Sequence, residues 1–201
     1  LNELITSKNP IPLVLVIIIL SALTMAAGQA SDKHVHAIDV AHSKMTVSVY
    51  KEGIFAFAAD NHEVNAPIVS GWFNDESKAV DVRVDATKMQ VLDPKMPSGR
   101  RAQVQANMIG PQVLDAVHYT LIEFRSTAIA TTDGNNWKVT GELTLHGQTH
   151  PITFAVTRVD ATHFHGTTMV RQSAFGISPI RIAGGTVRVK DDVKVEFEIA
   201  L

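Results

Sequence analysis

The chain has no cysteine at any of its 201 positions. That excludes a disulfide framework, a redox CxxC pair, a zinc–thiolate site, a thiol nucleophile and a lipid-modified cysteine at a cleavage site. Other signatures of chemistry are missing as well. There is no G-x-S-x-G elbow, no P-loop and no G-x-G-x-x-G, and His62-Glu63 lacks a second histidine because Ala66 stands where H-E-x-x-H requires one. A strong charge of one sign is absent too: 18 Lys and Arg against 20 Asp and Glu give a net charge of −2 and no basic face for nucleic acid. The lone Arg100-Arg101 pair is too short to alter that. Neither an internal repeat nor a low-complexity linker divides the chain, so the length suggests one domain with an extension. With 45% hydrophobic and 19% charged residues the composition is that of a folded protein.

What is present begins at the N-terminus. Ile11-Pro-Leu-Val-Leu-Val-Ile-Ile-Ile-Leu20 is an uncharged apolar run, preceded by Lys8 and followed by small residues up to Ala30. This is the layout of a secretory signal, with cleavage expected after Ala30. Residues 1–30 are therefore read as a signal peptide, residues 31–201 as the mature domain, and the periplasm or exterior as its location. A retained membrane anchor is the competing reading, because Ile11 to Ala27 comes close to the roughly 20 apolar residues of a spanning helix.

From His34 onward the dominant period is two. Val80, Val82 and Val84 alternate with Asp81, Arg83 and Asp85; Val139, Gly141, Leu143 and Leu145 repeat the pattern, as do Ile152, Phe154 and Val156. Val193, Val195, Phe197, Ile199 and Leu201 alternate with Lys194, Glu196, Glu198 and Ala200. Each is expected to be a strand with one buried and one wet face, with further strands over 44–50, 68–74, 121–130 and 164–172. Val187 and Val189 precede Lys190-Asp191-Asp192, which reads as a short hairpin loop. Closely spaced strands of this kind predict an all-β sandwich or barrel. One segment departs from the pattern: Ala102, Ala106, Ile109 and Val113 follow helical spacing over 98–117. Ser98 is expected to cap that helix, and Gly110-Pro111 to interrupt it before a second short helix. A helical insertion between barrel strands reads as a plug or lid.

The stretch Gly141-Glu-Leu-Thr-Leu-His-Gly-Gln-Thr-His-Pro-Ile-Thr-Phe-Ala-Val156 places two histidines about a glycine. Gly147 offers the backbone freedom of a hairpin connection, and His146 and His150 read as structural. His34/His36 and His163/His165 are spaced so that each pair shares one strand face, and a metal site would require the two pairs to converge. Asp39 and His42 could share a proton, although an aspartate that close in sequence more often braces a turn. The phenylalanines on separate strands fit either a filled core or a lined cavity, since about eight strands can close around side chains or around one small ligand. Candidate wall residues are Phe55, Phe57, Trp72, Met108, Ile109, Leu114, Phe124 and Phe154, with Phe197 counted among the ordinary core. Arg100 and Arg101 are candidates for an anionic head group because a guanidinium suits phosphate geometry; a solvated pair is the competing reading.

Three stretches carry a resemblance to a known family. They are Ile38-Asp-Val-Ala-His-Ser-Lys-Met-Thr-Val47, Tyr119-Thr-Leu-Ile-Glu-Phe-Arg-Ser126, and the hairpin beginning at Val139. In this order they resemble the I-D-x-x-H-S opening, the Y-P-x-I-x-F-x-S segment and the V-x-G-x-L-T-x-x-G-x-T-x-P-V hairpin of the YceI-like proteins. Thr120 replaces the usual proline, and 98–108 departs from the R-D-x-H-L pattern of many members. The resemblance implies a lipocalin-like antiparallel β-barrel of about eight strands. It implies a non-enzymatic role in the cell envelope, binding or carrying a polyisoprenoid or similar long amphipathic lipid, with no cofactor and with membrane contact for lipid exchange. Two rival functions remain on the residues themselves: a metal-binding envelope protein using the histidine pairs, and an enzyme acting on lipid through a dyad such as Asp39 with His42.

Overall fold

A computed structural model of the chain describes residues 33–53, 61–182 and 187–201, without the side chains of Ile182 and Val187. The expected signal peptide and the candidate wall residues Phe55 and Phe57 lie outside the described residues. The unit Asp32–Leu201 is compact and contains every strand and the hydrophobic core found among the described residues.

The predicted period of two produces long antiparallel strands. In chain order they are β1 (Val35–Ala37), β2 (Lys44–Val49), β3 (Lys51–Glu52), β4 (His62–Asn65), β5 (Ile68–Asn74), β6 (Ala79–Asp85) and β7 (Gln90–Val91). The helix α1 (Ser98–Ile109) follows, then β8 (Leu121–Asp133), β9 (Asn136–Leu145), β10 (Gln148–Arg158) and β11 (His163–Arg171). Last come β12 (Arg181–Ile182), β13 (Val187–Val189) and β14 (Asp192–Ala200).

Eleven strand segments form one sheet in the order β1-β5-β6-β8-β9-β10-β11-β14-β2-β4-β7. The sheet is curled, and its two flanks are joined through a single stretch of chain. β4 pairs with β2, β5 pairs with β6, and only Ala66-Pro67 separates β4 from β5. The ladders continue to that corner, with Ala66 N–H donating to the Met45 carbonyl and Asp85 N–H to the Pro67 carbonyl. With β4 and β5 counted as one stave the ring has eight, namely β2, β4–β5, β6, β8, β9, β10, β11 and β14. The all-β barrel-like expectation is met.

The barrel has two distinct ends. At one, the β5–β6, β8–β9 and β10–β11 turns meet, and Phe73, Trp137 and Phe164 stack across the interior with ring centroids 5.3–5.8 Å apart. At the other lie the β9–β10 turn, α1 and the segment 172–177. Here Gln105 ties the helix to the exposed side of β7: its Oε1 accepts from Val91 N–H at 2.8 Å and its Nε2 donates to the Met89 carbonyl at 2.8 Å. An amide thus satisfies backbone groups that the edge strand would otherwise leave open.

Three local expectations are corrected. Ser98 is the first residue of α1 and not its cap; Pro97 occupies the cap position, and no side chain bonds the helix start. No second helix begins at Pro111. Instead Leu114 N–H returns to the Met108 carbonyl and Ala116 N–H to the Ile109 carbonyl, folding 110–116 back against the end of α1. Lys190-Asp191-Asp192 is not a hairpin loop either, because β13 joins β12 and β3 in a separate sheet while β14 pairs with β11 and β2. Asp191 accepts from the Ser173 hydroxyl (2.5 Å) and Ser173 N–H (2.8 Å), and Lys190 N–H donates to the Tyr50 carbonyl, so the chain is held between two sheets.

The β9–β10 hairpin answers the question posed by its two histidines. Leu145 pairs with Gln148, leaving His146 and Gly147 as a two-residue connection with φ of 52° and 72°. Positive φ at both positions matches the twist of the flanking strands. His146 Nδ1 meets the Phe175 carbonyl at 3.2 Å, and the His150 ring stands edge-on to the Phe175 ring at 5.2 Å. Both histidines therefore clamp the 3₁₀ turn Gln172–Phe175 onto the barrel. Gly147→Ala is expected to cost about 1–3 kcal/mol, because a left-handed alanine is strained. Its methyl would also meet the Tyr119 ring. Denaturant unfolding of the variant measures this.

Candidate functional site: an apolar bore

The inward faces of the eight staves enclose a cavity of about 240 Å³. Its wall is built by alternation: Met45, Val47 and Val49 from β2, Val80, Val82 and Val84 from β6, and Val193, Val195, Phe197 and Ile199 from β14. The aromatic stack of Phe73, Trp137 and Phe164 forms its floor, and Met108, Val113 and Leu114 cover it at the helix end. Among the described lining residues, Thr168, Gln172 and the indole of Trp137 carry the only N–H or O–H groups of the side chains. Apolar cavities of about 150 Å³ stay dry and admit a benzene-sized guest. This one is larger and has the same character.

Two glycines set the width of the bore. Gly141 lies across the ladder from Ser126 and Ile152, and a β-carbon there would sit 2.5 Å from the Phe124 Cζ. Gly166 pairs with Phe197, whose ring occupies the space a β-carbon would need. Phe124, Phe154 and Phe197 form a continuous aromatic band, with centroids 5.2 Å and 5.7 Å apart. The Phe124 and Phe197 rings lie over Gly141 and Gly166 instead of projecting fully inward, so the cavity stays open.

Of the sequence candidates, Met108, Leu114, Phe124 and Phe154 line the bore. Ile109 packs against the core but does not reach the cavity. Trp72 is corrected: it is 36% exposed on the outer face, and its neighbour Phe73, 8% exposed, faces inward. The cause is a register shift between Ile68 and Ser70 in the β5–β6 ladder. Strict alternation from the buried Ile68 would turn Ser70 and Trp72 inward, and one extra residue reverses the phase. Arg100 and Arg101 do not line the bore. Arg100 is exposed, and Arg101 is half-buried with its guanidinium 3.4 Å from the Asp93 carbonyl. Phe197, counted as ordinary core, is a wall residue. Phe73, Trp137, Phe164, Thr168 and Gln172 were missed; the aromatic residues beside three turns at one end were the available signal for the floor.

The polar candidates lie outside the bore. His34 and His36 converge on one carboxylate, Asp75, at 3.0 Å and 3.3 Å, whereas His163 sits on Asp160 at 2.9 Å. Among the described residues no three His, Asp or Glu side chains are arranged to hold a metal ion. Asp39 and His42 are 2.7 Å apart but exposed, and Asp39 Oδ1 also accepts from the N–H groups of Ala41 and His42. The pair braces a turn. The buried Asp81 projects from β6 opposite to Val80 and Val82, where Arg125 Nε and Nη2 each approach it at 3.2 Å.

These surface pairs have a consequence in acid. The Thr162 N–H, followed by His163, holds the Asp160 carboxyl down to about 2, and His42 and His34 likewise lower Asp39 and Asp75 from the usual 3.8. A lowered folded-state pKa means that the unfolded chain binds the proton more readily. The stabilisation is therefore complete above about pH 4 and is lost as pH falls toward 2. Melting temperature measured against pH should drop through that window, and Asp160→Asn should flatten part of the drop.

A UPF0312 protein of Pseudomonas putida (strain W619) is 32% identical over 124 residues, a stretch that covers 56% of this chain and 62% of that protein. The crystal structure of Burkholderia cenocepacia BcnA superposes with a TM-score of 0.61 at 23% identity, covering 82% of this chain and 99% of that one. A polyisoprenoid binding domain from Saccharophagus degradans, implicated in plant cell wall breakdown, superposes with a TM-score of 0.56 at 13% identity, covering 83% and 96%. At these identities the structural neighbours speak for the fold. The sequence itself matches the pattern of the YceI-like domain over residues 36–201, and the chain belongs to that family.

Proposed function

We propose that this protein is a non-catalytic carrier that encloses the apolar tail of a polyisoprenoid, or of a similar long amphipathic lipid, in the cell envelope. The observation that carries this reading is the bore itself: a cavity of about 240 Å³ whose wall is aliphatic and aromatic on every stave. Burial of a chain in such a space gains about 0.8 kcal/mol per CH₂, so affinity rises with tail length until the bore is full. The family and the description of the Saccharophagus degradans domain as polyisoprenoid binding support the ligand class.

The arrangement also favours one orientation. Thr168 and Gln172 lie toward the helix end, and Gln172 Nε2 donates to the Lys190 carbonyl at 2.9 Å. The floor consists of Phe73, Trp137 and Phe164. A tail is best accommodated against that floor, with an uncharged polar group near Thr168. A phosphate in the bore would have no cation among the described lining residues, and burial of an unpaired charge is costly. The envelope location rests on the apolar run 11–20 and the small residues up to Ala30.

The test is native mass spectrometry of protein purified from its own host, together with titration of delipidated protein by a fluorescent isoprenoid alcohol. A retained lipid mass and micromolar or tighter binding support the reading. No retained mass and no binding mean a filled barrel. N-terminal sequencing of exported material checks cleavage after Ala30.

A further inference from the structure

We infer that Trp137 is a length gauge: with Phe73 and Phe164 it stops the enclosed tail at about two to three isoprene units. The inference deepens the carrier reading and rests on it, naming short isoprenoid alcohols as the ligand class.

The stop is built into the barrel. Trp137 pairs with Thr131 on one side and Val156 on the other, Phe73 with His36 and Val80, and Phe164 with Arg158 and Ile199. Each backbone is thus fixed by two ladders. The turn next to Trp137 is tied as well. Asn136 Nδ2 donates to Asp133 Oδ1 (2.6 Å), Thr157 Oγ1 to Asn136 Oδ1 (2.9 Å) and Arg158 N–H to the Asn135 carbonyl (2.8 Å). The cover at the opposite end, Met108, Val113 and Leu114, sits on α1 and the loop after it. Side chains rooted in paired strands yield less than those on a loop, so a tail advancing from the helix end halts at the floor. Trp137 touches both other rings, with centroids 5.8 Å and 5.3 Å away. It is the largest of the three, and its removal opens the widest gap.

Two measures give the length. Thr168, the hydroxyl in the wall, stands four residues from Phe164 along β11. That is about 14 Å of strand, or about 10 Å along the axis at a typical barrel tilt. Three backbone bonds of an extended chain advance about 3.4 Å, so the four of an isoprene unit advance about 4.5 Å. A hydroxyl at Thr168 therefore leaves room for about two units above the floor. Volume agrees: about 150 Å³ admits benzene, so the bore of about 240 Å³ admits on the order of ten carbons. A longer alcohol leaves its remainder outside the apolar bore, where it gains nothing.

Delipidated protein is titrated with prenol, geraniol, farnesol and geranylgeraniol, each longer than the last by one isoprene unit. Affinity should rise on the order of tenfold or more from prenol to geraniol, and by less than about threefold from farnesol to geranylgeraniol. Trp137→Ala, shown by thermal melting to be folded, should move the plateau outward, so that geranylgeraniol gains on the order of tenfold over farnesol. Trp137→Phe, which keeps a ring between Phe73 and Phe164, should restore the wild-type plateau. A second readout uses the native indole and does not depend on the alanine variant. The chain has two tryptophans, so Trp72→Phe on the outer face leaves Trp137 as the sole reporter. Decanol brominated at its terminal carbon should quench that fluorescence several-fold more than decanol brominated beside the hydroxyl. Continued gain beyond farnesol in the wild type, an unmoved plateau in folded Trp137→Ala, or equal quenching by the two bromoalcohols would each overturn the proposal. Each of these results requires binding and leaves the carrier reading standing, whereas no binding by any of the alcohols sinks both.

Discussion

Phe175→Ala is expected to destabilise the empty protein by about 3–5 kcal/mol, and Phe154→Ala by clearly less, about 1–3 kcal/mol. The two side chains are the same, and their surroundings differ. Phe175 is 2% exposed and packs beneath His150 in the clamped turn, away from the bore. Its removal leaves a new void. Phe154 already faces open space on one side and touches Phe124 and Phe197 on the others. Removing it enlarges an existing cavity and sacrifices fewer packing contacts. For ligand binding the order reverses. Phe154→Ala should weaken a fluorescent isoprenoid alcohol by about tenfold, because a buried aromatic wall contributes roughly 1.5–3 kcal/mol. Phe175→Ala, where folded, should leave affinity within about threefold of wild type. Denaturant unfolding of delipidated protein and fluorescence titration give the two axes. Equal stability losses with unchanged affinity in both variants would count against a lined bore.

The second large effect comes from adding atoms. Gly166→Ala and Gly141→Ala each introduce one methyl group into the space of a phenylalanine ring. At Gly166 the nearby atoms all belong to the Phe197 ring, which can swing toward the cavity. The stability cost there should be small, about 1 kcal/mol, while the ring narrows the bore and affinity falls by tenfold or more. At Gly141 the methyl would also strike the Arg125 carbonyl oxygen. Backbone cannot yield as a ring can, so this variant should lose about 2–3 kcal/mol. Gly166→Ala combined with Phe197→Leu should recover affinity, since the shorter side chain makes room; a double-mutant cycle measures that coupling. Failure of the second change to restore binding would show that the glycine does not act through bore width.

Much of this architecture is legible in the chain because it depends on local alternation. Val193 to Leu201 announces both a strand and its inward face, and the wall residues Val80, Val82 and Val84 follow from the same rule. The rule fails where a single residue breaks phase. The register shift between Ile68 and Ser70 leaves no compositional mark, so Trp72 and Phe73 exchange roles. Pairing between distant strands is equally silent. Val187 and Val189 look like half of a hairpin with the strand that follows, yet their partners are Arg181–Ile182 and Lys51–Glu52. The arginine candidates illustrate a third limit: proximity to a lid along the chain does not fix the direction of a side chain. Histidine spacing is ambiguous in the same way: it leaves surface and metal-binding readings open, and the structure shows His34 and His36 on Asp75 and His163 on Asp160.

The seam between β2 and β14 governs the order in which the protein can form. Thr46 pairs with Glu196, and Val47 with Val195, so the ring is completed by contacts between segments far apart in the chain. Such closure is entropically costly before its contacts are made, and topologies dominated by it fold slowly. The strands from β5 to β11 are mostly neighbours along the chain and can assemble first. Until residues 192–200 are in position, the result is an open trough with unpaired edges at β11 and β2 and an uncovered apolar floor. A chain emerging from the ribosome must pass through this stage, exposed to chaperones and to other copies of itself. Its last stave is therefore a kinetic latch, and damage to β14 would appear first as aggregation during synthesis.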